Sequence, residues 1–233
     1  MRETPGWTIV DGRPESRAGV TGVRSREDDV EVLFLGKGTA ADRARAIPAV
    51  WVQPDEERSW LRQVHGDRSI EAQPGLCGEA DALVTAERGL WLEIATADCV
   101  PVLLAGGGRV AAAHAGWRGI AAGIVAAAVR SLGASATAVA WIGPAIGPCC
   151  YEVGDDVARQ VVAASSAVIS HAGSRSRPHL DLQRAVAVQL LEAGVREIRV
   201  VRRCTSCEAD WLWSYRRDGA NAGRNLSLIR LSS

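Results

Sequence analysis

The feature that most limits what this chain can become is an apolar run over residues 90–105, broken only by Glu93 and Asp98. A stretch of that quality must be buried, and a charge inside it needs a partner or a task. Gly106-Gly107-Gly108 closes a tight loop at its end, and residues 110–114 form another β-like segment that ends on His114. After Gly116-Trp117-Arg118-Gly119 the spacing becomes helical. Ile120, Ile124 and Ala128 share one stripe, with Val125, Val129 and Leu132 beside it, until Gly133 supplies a left-handed stop. A strand thus hands His114 directly to a helix start.

Elsewhere the pattern predicts strands over residues 7–11, 30–35, 61–64, 70–72, 138–142, 195–201 and 226–231, with Pro74-Gly75 as a turn. Helices are predicted over 155–170 and from an Asp181 N-cap through Ala193, with Gly194 as the residue that ends it. Residues 39–58 are Ala/Arg-rich and then polar, and define no element. Strands and helices mix without a strict βαβ rhythm, and there is no internal repeat or low-complexity linker. With 47% hydrophobic residues in 233, the chain has enough apolar mass for one sizeable core. The expected class is α+β: a single domain, residues 1–233, of mixed β-sheets flanked by helices.

Basic and acidic side chains balance at 27 each, so no global positive field draws in nucleic acid or an anionic membrane surface. Lys37 is the single lysine among them, a bias that looks like GC-rich codon usage and not chemistry. The first residues show no signal-peptide pattern, and the longest uncharged apolar segment, 120–129, is about half of what a spanning helix needs. A cytoplasmic protein with no membrane partner is the expectation. Thiols stay reduced there, so the six cysteines point to metal binding, catalysis or packing before disulfides.

Those cysteines and the four histidines are nearly all the soft-metal donors in the chain. Three of the ten lie in short patches of interest: His65 in Gln63-Val64-His65-Gly66 and His114 in His114-Ala115-Gly116-Trp117, both beside a glycine, and Cys99 in Thr96-Ala97-Asp98-Cys99. Two imidazoles and a thiolate are a zinc-type set that leaves a fourth tetrahedral position open, as in catalytic zinc. Their spacing matches no compact zinc motif, so surface histidines and a buried cysteine are the competing reading. Asp98 and Cys99 are adjacent and would face opposite sides of a regular strand, so both reach one pocket only if the strand ends or bulges there. If it does, Asp98 is the natural general base. Arg118, at the head of a helix, suits a phosphate or carboxylate. Cys204-Thr205-Ser206-Cys207 is a lone CxxC and Cys149-Cys150 an adjacent pair; both read as structural.

An ordered series of blocks resembles the YfiH family, also called the polyphenol oxidase or laccase-domain family and, for mammalian members, the purine nucleoside cycle enzyme family. The blocks are Arg62-Gln63-Val64-His65-Gly66-Asp67, Ala80-Asp81-Ala82-Leu83-Val84-Thr85, Thr96-Ala97-Asp98-Cys99-Val100-Pro101, His114-Ala115-Gly116-Trp117-Arg118-Gly119, Ile142-Gly143-Pro144-Ala145-Ile146-Gly147-Pro148-Cys149-Cys150-Tyr151-Glu152-Val153-Gly154 and Ser214-Tyr215-Arg216-Arg217-Asp218-Gly219. They span residues 61–231; residues 1–60 diverge. The resemblance implies a YfiH-like fold and zinc ligated by His65, Cys99 and His114. It also implies phosphorolysis of purine nucleosides (adenosine, inosine, methylthioadenosine) together with adenosine deamination. Nucleosides and phosphate are then the partners, with Asp98 as the proton-shuttling carboxylate and Arg118, with Arg216, as the anion-neutralising groups. The family's N-terminal block is reduced here to fragments such as Leu35-Gly36, and Ala222 replaces the usual Thr before Gly223-Arg224.

Three other readings compete. Copper-dependent polyphenol oxidation would need about a dozen donors for a multicopper site, more imidazoles than four histidines supply. A single blue-copper site would lack its axial methionine, since Met1 is the only one. Cys99 as the nucleophile of an amidase acting on a peptidoglycan precursor is the second, and a non-enzymatic partner role the third.

Overall fold

The computed structural model describes residues 8–9, 13–38, 47–53, 55–165, 169–171 and 177–232. Among them the chain forms β1 (Thr8–Ile9), β2 (Glu15–Arg17), β3 (Val20–Glu27), β4 (Val30–Leu35), β5 (Arg58–Arg62), β6 (Ser69–Glu71), β7 (Gly75–Glu79) and β8 (Ala82–Thr85). There follow β9 (Trp91–Thr96), β10 (Val100–Gly106), β11 (Arg109–Ala115), the helices α1 (Trp117–Ala122) and α2 (Ile124–Leu132), and β12 (Val139–Ile142). The last part holds α3 (Asp155–Ser165), β13 (Ile169–His171), β14 (Pro178–Leu180), α4 (Leu182–Glu192), β15 (Glu197–Val200), α5 (Tyr215–Asp218) and β16 (Asn225–Leu231).

Two seven-stranded mixed sheets carry the fold, one in the order β1-β15-β12-β10-β11-β8-β6 and the other β2-β3-β4-β16-β9-β5-β7. The apolar run 90–105 divides between them: β9 lies in the second sheet and β10 in the first. Side-chain alternation makes β10 apolar on both faces. Val100, Val102 and Leu104 pack under the helices with Ile120, Ile124 and Ala128, while Leu103 and Ala105 meet Val32, Phe34, Leu92 and Ile94 of the other sheet. The outer face of the second sheet, with Leu33, Leu35 and Trp91, is covered by Ile47, Trp51 and Val52, from a stretch whose sequence defined no element. The mixed-sheet α+β class is as expected.

Gly107 and Gly108 both have positive φ, 60° and 71°, which makes the β10–β11 connection a two-residue hairpin loop of the type that requires it. Glu93 resolves the first of the two charge puzzles, since its carboxylate pairs with Arg58 of the adjacent β5 at 3.0 Å.

Several boundaries differ from the sequence pattern. The helix read through to Gly133 is broken at Gly123, whose φ of 96° ends α1 and caps α2. The helix predicted over 155–170 ends at Ser165, and β13 follows; residues 166–168 lie outside the described residues. Residues 75–79, read as following a turn, form β7. The hairpin β2–β3 and strand β8 carried no strong periodic signal. Of the strand predicted over 7–11, Thr8–Ile9 is a strand and the other positions lie outside the described residues. The α4 reading holds in detail: the Asp181 carboxylate accepts from the Arg184 N–H at 3.0 Å, and Gly194 turns out at φ 94°.

Candidate metal centre

The site forms where the chain crosses from one sheet to the other. β9 ends at Thr96 and β10 begins at Val100, so residues 97–99 must make the crossing, and Asp98 takes a φ of 93° to do so. The strand ends here, which is the condition that lets both Asp98 and Cys99 line one cavity. Their side chains have different surroundings. Asp98 Oδ1 accepts from the Thr205 hydroxyl at 2.5 Å and Oδ2 from the backbone N–H of Arg216 at 2.6 Å. Cys99 Sγ lies 4.0 Å from His65 Nε2.

His65 follows β5 in a short loop, with φ 62°, uncommon for a residue other than glycine. Two devices hold that loop. The Gln63 side chain accepts from the Ala95 N–H at 2.9 Å and donates to its carbonyl at 2.8 Å, mimicking one more ladder pair at the end of β9. The fully buried Asp81 carboxylate accepts the consecutive backbone N–H groups of Val64, His65 and Gly66 at 3.2, 3.0 and 2.7 Å. His114, at the end of β11, completes the arrangement, with Nδ1 2.8 Å from Asp81 Oδ1. One carboxylate therefore positions both histidines. That second layer of support is typical of metal-bound imidazoles, whose other ring nitrogen bonds a carboxylate.

The donor atoms of His65, Cys99 and His114 all lie within 4.8 Å of one another, the histidine rings meet edge to face at 4.7 Å between centroids, and burial deepens from exposed His65 to buried His114. Gly116 backs the trio: a Cβ there would sit 3.0 Å from both Cys99 Sγ and His65 Cδ2. Two imidazoles and a thiolate with a fourth position open are the donor chemistry that a tetrahedral catalytic zinc ion takes. In donor chemistry the trio fits the metal that the family resemblance implies.

Without a metal the trio is strongly polarised. Burial raises the Cys99 thiol, but hydrogen bonds and charge from His114 and His65 outweigh it and bring the thiol down to about 6. Burial likewise opposes a charged His114, and Asp81 and Cys99 overcome it, raising the imidazole to about 9. Asp81 is held below the usual carboxylate range: desolvation works against its charge, while His114 and the Gly66 and His65 N–H groups stabilise it.

The trio lies at the wall of a cavity of about 920 Å³ that is also lined by Arg62, Tyr151, Tyr215, Arg216 and Arg224. The Arg216 guanidinium donates to the carbonyls of Cys150 and Glu152 at 3.1 and 3.0 Å and lies 5.3 Å from the Tyr151 ring centre. Burial and nearby Cys99 push the Tyr151 phenol up to about 12. Arg118 is placed differently from what its motif suggested. It is solvent-exposed, lies 4.6 Å over the Trp117 ring, and is not among the cavity-lining residues. The positioning role of Asp81 was not recognised in the sequence, although a lone carboxylate in the apolar segment Ala80-Asp81-Ala82-Leu83-Val84 is the signal that exposes it. Cys149, Cys150, Cys204 and Cys207, read as two separate pairs, come together in a second group.

Fold and site define a two-sheet α+β protein with a His₂Cys donor set beside a polar cavity. A family model described as multi-copper polyphenol oxidoreductase laccase matches residues 37–232. Purine nucleoside phosphorylase YfiH of Escherichia coli is 38% identical, over 74% of this chain and 73% of that protein. Purine nucleoside phosphorylase YlmD of Geobacillus stearothermophilus is 35% identical, over 98% and 96%. A solved structure of a Neisseria meningitidis protein superposes with a TM-score of 0.79 at 28% identity, covering 91% of this chain and 99% of that one. The chain belongs to this laccase-domain family, the YfiH family. No helix among the described residues is long and apolar enough to cross a membrane.

Proposed function

We propose that the chain is a zinc-dependent purine nucleoside phosphorylase acting on adenosine, inosine and methylthioadenosine, with adenosine deaminase activity at the same cavity. The observation that carries this reading is the meeting of His65, Cys99 and His114 beside a cavity lined by arginines and two tyrosines. The names of the relatives supply the substrate class. Zinc held by the trio would supply Lewis acidity at the cavity wall.

The chain's own residues do the rest. Exposed Tyr215 offers a ring face for a purine. Arg216, read in this role together with Arg118, and Arg224 supply positive charge for phosphate, while the Arg118 guanidinium stays outside the lining. Phosphorolysis breaks the bond between C1′ and the base and forms one from C1′ to a phosphate oxygen, and the departing purine takes up a proton. Asp98, with a further lone pair on each carboxylate oxygen, is the group assigned to move it. The Asp98 bond to the Arg216 N–H ties the proton-handling group to the anion-binding one.

Zinc-loaded protein given inosine and phosphate should release hypoxanthine and ribose 1-phosphate in equal amounts, and Cys99→Ala should abolish the release. No release from the loaded protein would sink the assignment.

A second reading rests on one observation: His114, held by the Asp81 carboxylate at 2.8 Å, shares a donor cluster with the Cys99 thiol, which places a carboxylate, a base and a thiol nucleophile together. A thiolate bound to zinc is not free to attack. Rapid alkylation of Cys99 in zinc-loaded protein supports the amidase reading, and protection counts against it.

A further inference from the structure

Four cysteines outside the trio gather behind one wall of the cavity. Cys149 and Cys150 lie in the loop after β12, Cys204 and Cys207 in the loop after β15. A bridge between Ala145 and Cys204 lays the loops side by side, with the Thr205 N–H donating to the Ala145 carbonyl at 3.0 Å and the Ala145 N–H to that of Arg203 at 3.2 Å. The four sulfurs lie within 4.8 Å of one another, and Cys207 Sγ is 3.6 Å from Cys149 Sγ and 3.5 Å from Cys150 Sγ.

Those separations choose between the chemical states of four thiols. A disulfide brings two sulfurs to about 2.05 Å. Tetrahedral zinc, with Zn–S bonds of about 2.3 Å, holds its sulfurs roughly 3.8 Å apart. The observed contacts match the second. Simple packing does not explain the group, because Cys149 and Cys207 are exposed. The backbone is also adapted to the sulfurs. The Gly147 N–H donates to Cys204 Sγ at 3.2 Å, and a Cβ on Gly147 would press on Cys149 Sγ at 3.2 Å and Cys204 Cβ at 3.3 Å.

We propose that Cys149, Cys150, Cys204 and Cys207 form a closed tetrathiolate site for a structural zinc ion, separate from the His65–Cys99–His114 trio. Its place gives it a task. Thr205, between two of the ligands, donates to Asp98, and Arg216 donates to the carbonyl of Cys150. Tyr151, the residue after Cys150, lines the cavity. One ion would therefore brace the wall that carries Asp98, Tyr151 and Arg216.

The test uses the full chain with Cys99→Ala and His114→Ala, which removes the trio, purified anaerobically without added metal. It should retain about one zinc per chain, and X-ray absorption at the zinc edge should show four sulfurs at about 2.3 Å. Thiol titration of the folded protein should find Cys77 reactive and the other four protected until a strong chelator is added. Cys207→Ser in this background should lower the zinc content by one, and the chelator titration needs no further variant should that one fail to fold. Absence of zinc from the trio-less protein, iron in its place, or disulfides among the four cysteines would overturn the proposal. Loss of the trio's metal alone would leave the trio-less count unchanged, so the two sites fail separately.

Discussion

Asp81→Asn is the most informative single change, because one buried carboxylate serves four donors. Oδ2 accepts from Val64 and Gly66, Oδ1 from His65 and His114 Nδ1. An asparagine is nearly the same size but keeps one oxygen, so whichever way the amide is turned two donors face an NH₂ group. Each buried donor left without an acceptor costs about 1–3 kcal/mol, so the pair should cost roughly 2–6 kcal/mol. In a chain of this length that is a fall in Tm of roughly 4–24 °C. Freeing the two histidines should also weaken zinc binding by roughly 10- to 100-fold.

Differential scanning calorimetry of the metal-free proteins and zinc competition against a chelating dye read the two effects separately. The pH dependence has a definite sign. Because the folded state holds the Asp81 carboxyl below its ordinary value, its contribution is present above about pH 4 and is lost as pH falls through the depressed value. The gap between wild type and variant should hold from pH 5 to 8 and close in acid. An asparagine variant with unchanged Tm and unchanged zinc affinity would refute the positioning role.

In metal-free protein, Cys99 should alkylate with a half-maximal rate near pH 6, far below an ordinary thiol, and zinc should suppress the reaction across the range. The same groups bound the stability of the metal-free fold. The contribution of Cys99 is lost as pH falls through about 6, and that of His114 as pH rises through about 9, which urea titrations at pH 5, 7 and 10 would register. Gly116→Ala places a methyl group 3.0 Å from Cys99 Sγ and His65 Cδ2, so zinc affinity at the trio should fall at least tenfold while the far-UV spectrum stays native. Arg216→Ala should raise KM for phosphate roughly tenfold or more with a smaller change for the nucleoside; equal changes in both would argue against an anion-binding role.

The elements that were legible in the sequence are those governed by local chemistry. β4 occupies the residues its apolar pattern marks, and α4 begins at the carboxylate cap of Asp181 and stops at Gly194. The donor trio was legible as chemistry, since few soft ligands exist and two of the three sit beside glycine turns. Its placement was not, because His65, Cys99 and His114 meet only through the crossing of two sheets. Asp81 was hidden for the same reason: its partners include the N–H groups of three residues some sixteen positions away. The cysteine pairs at 149–150 and 204–207 looked unremarkable apart because their relation is a tertiary bridge between two loops. Gly123 shows the opposite limit. A continuous apolar stripe favoured one helix, and a single left-handed glycine divided it.

The central claim is that the trio's metal makes the cavity a phosphorylase. Zinc added stepwise to metal-free protein allows two readouts in the same samples: phosphate-dependent hypoxanthine formation from inosine, and protection of Cys99 from alkylation. The account predicts that the two rise together and saturate together. Full activity while Cys99 is still open to alkylation, or full protection without phosphorolysis, would contradict it.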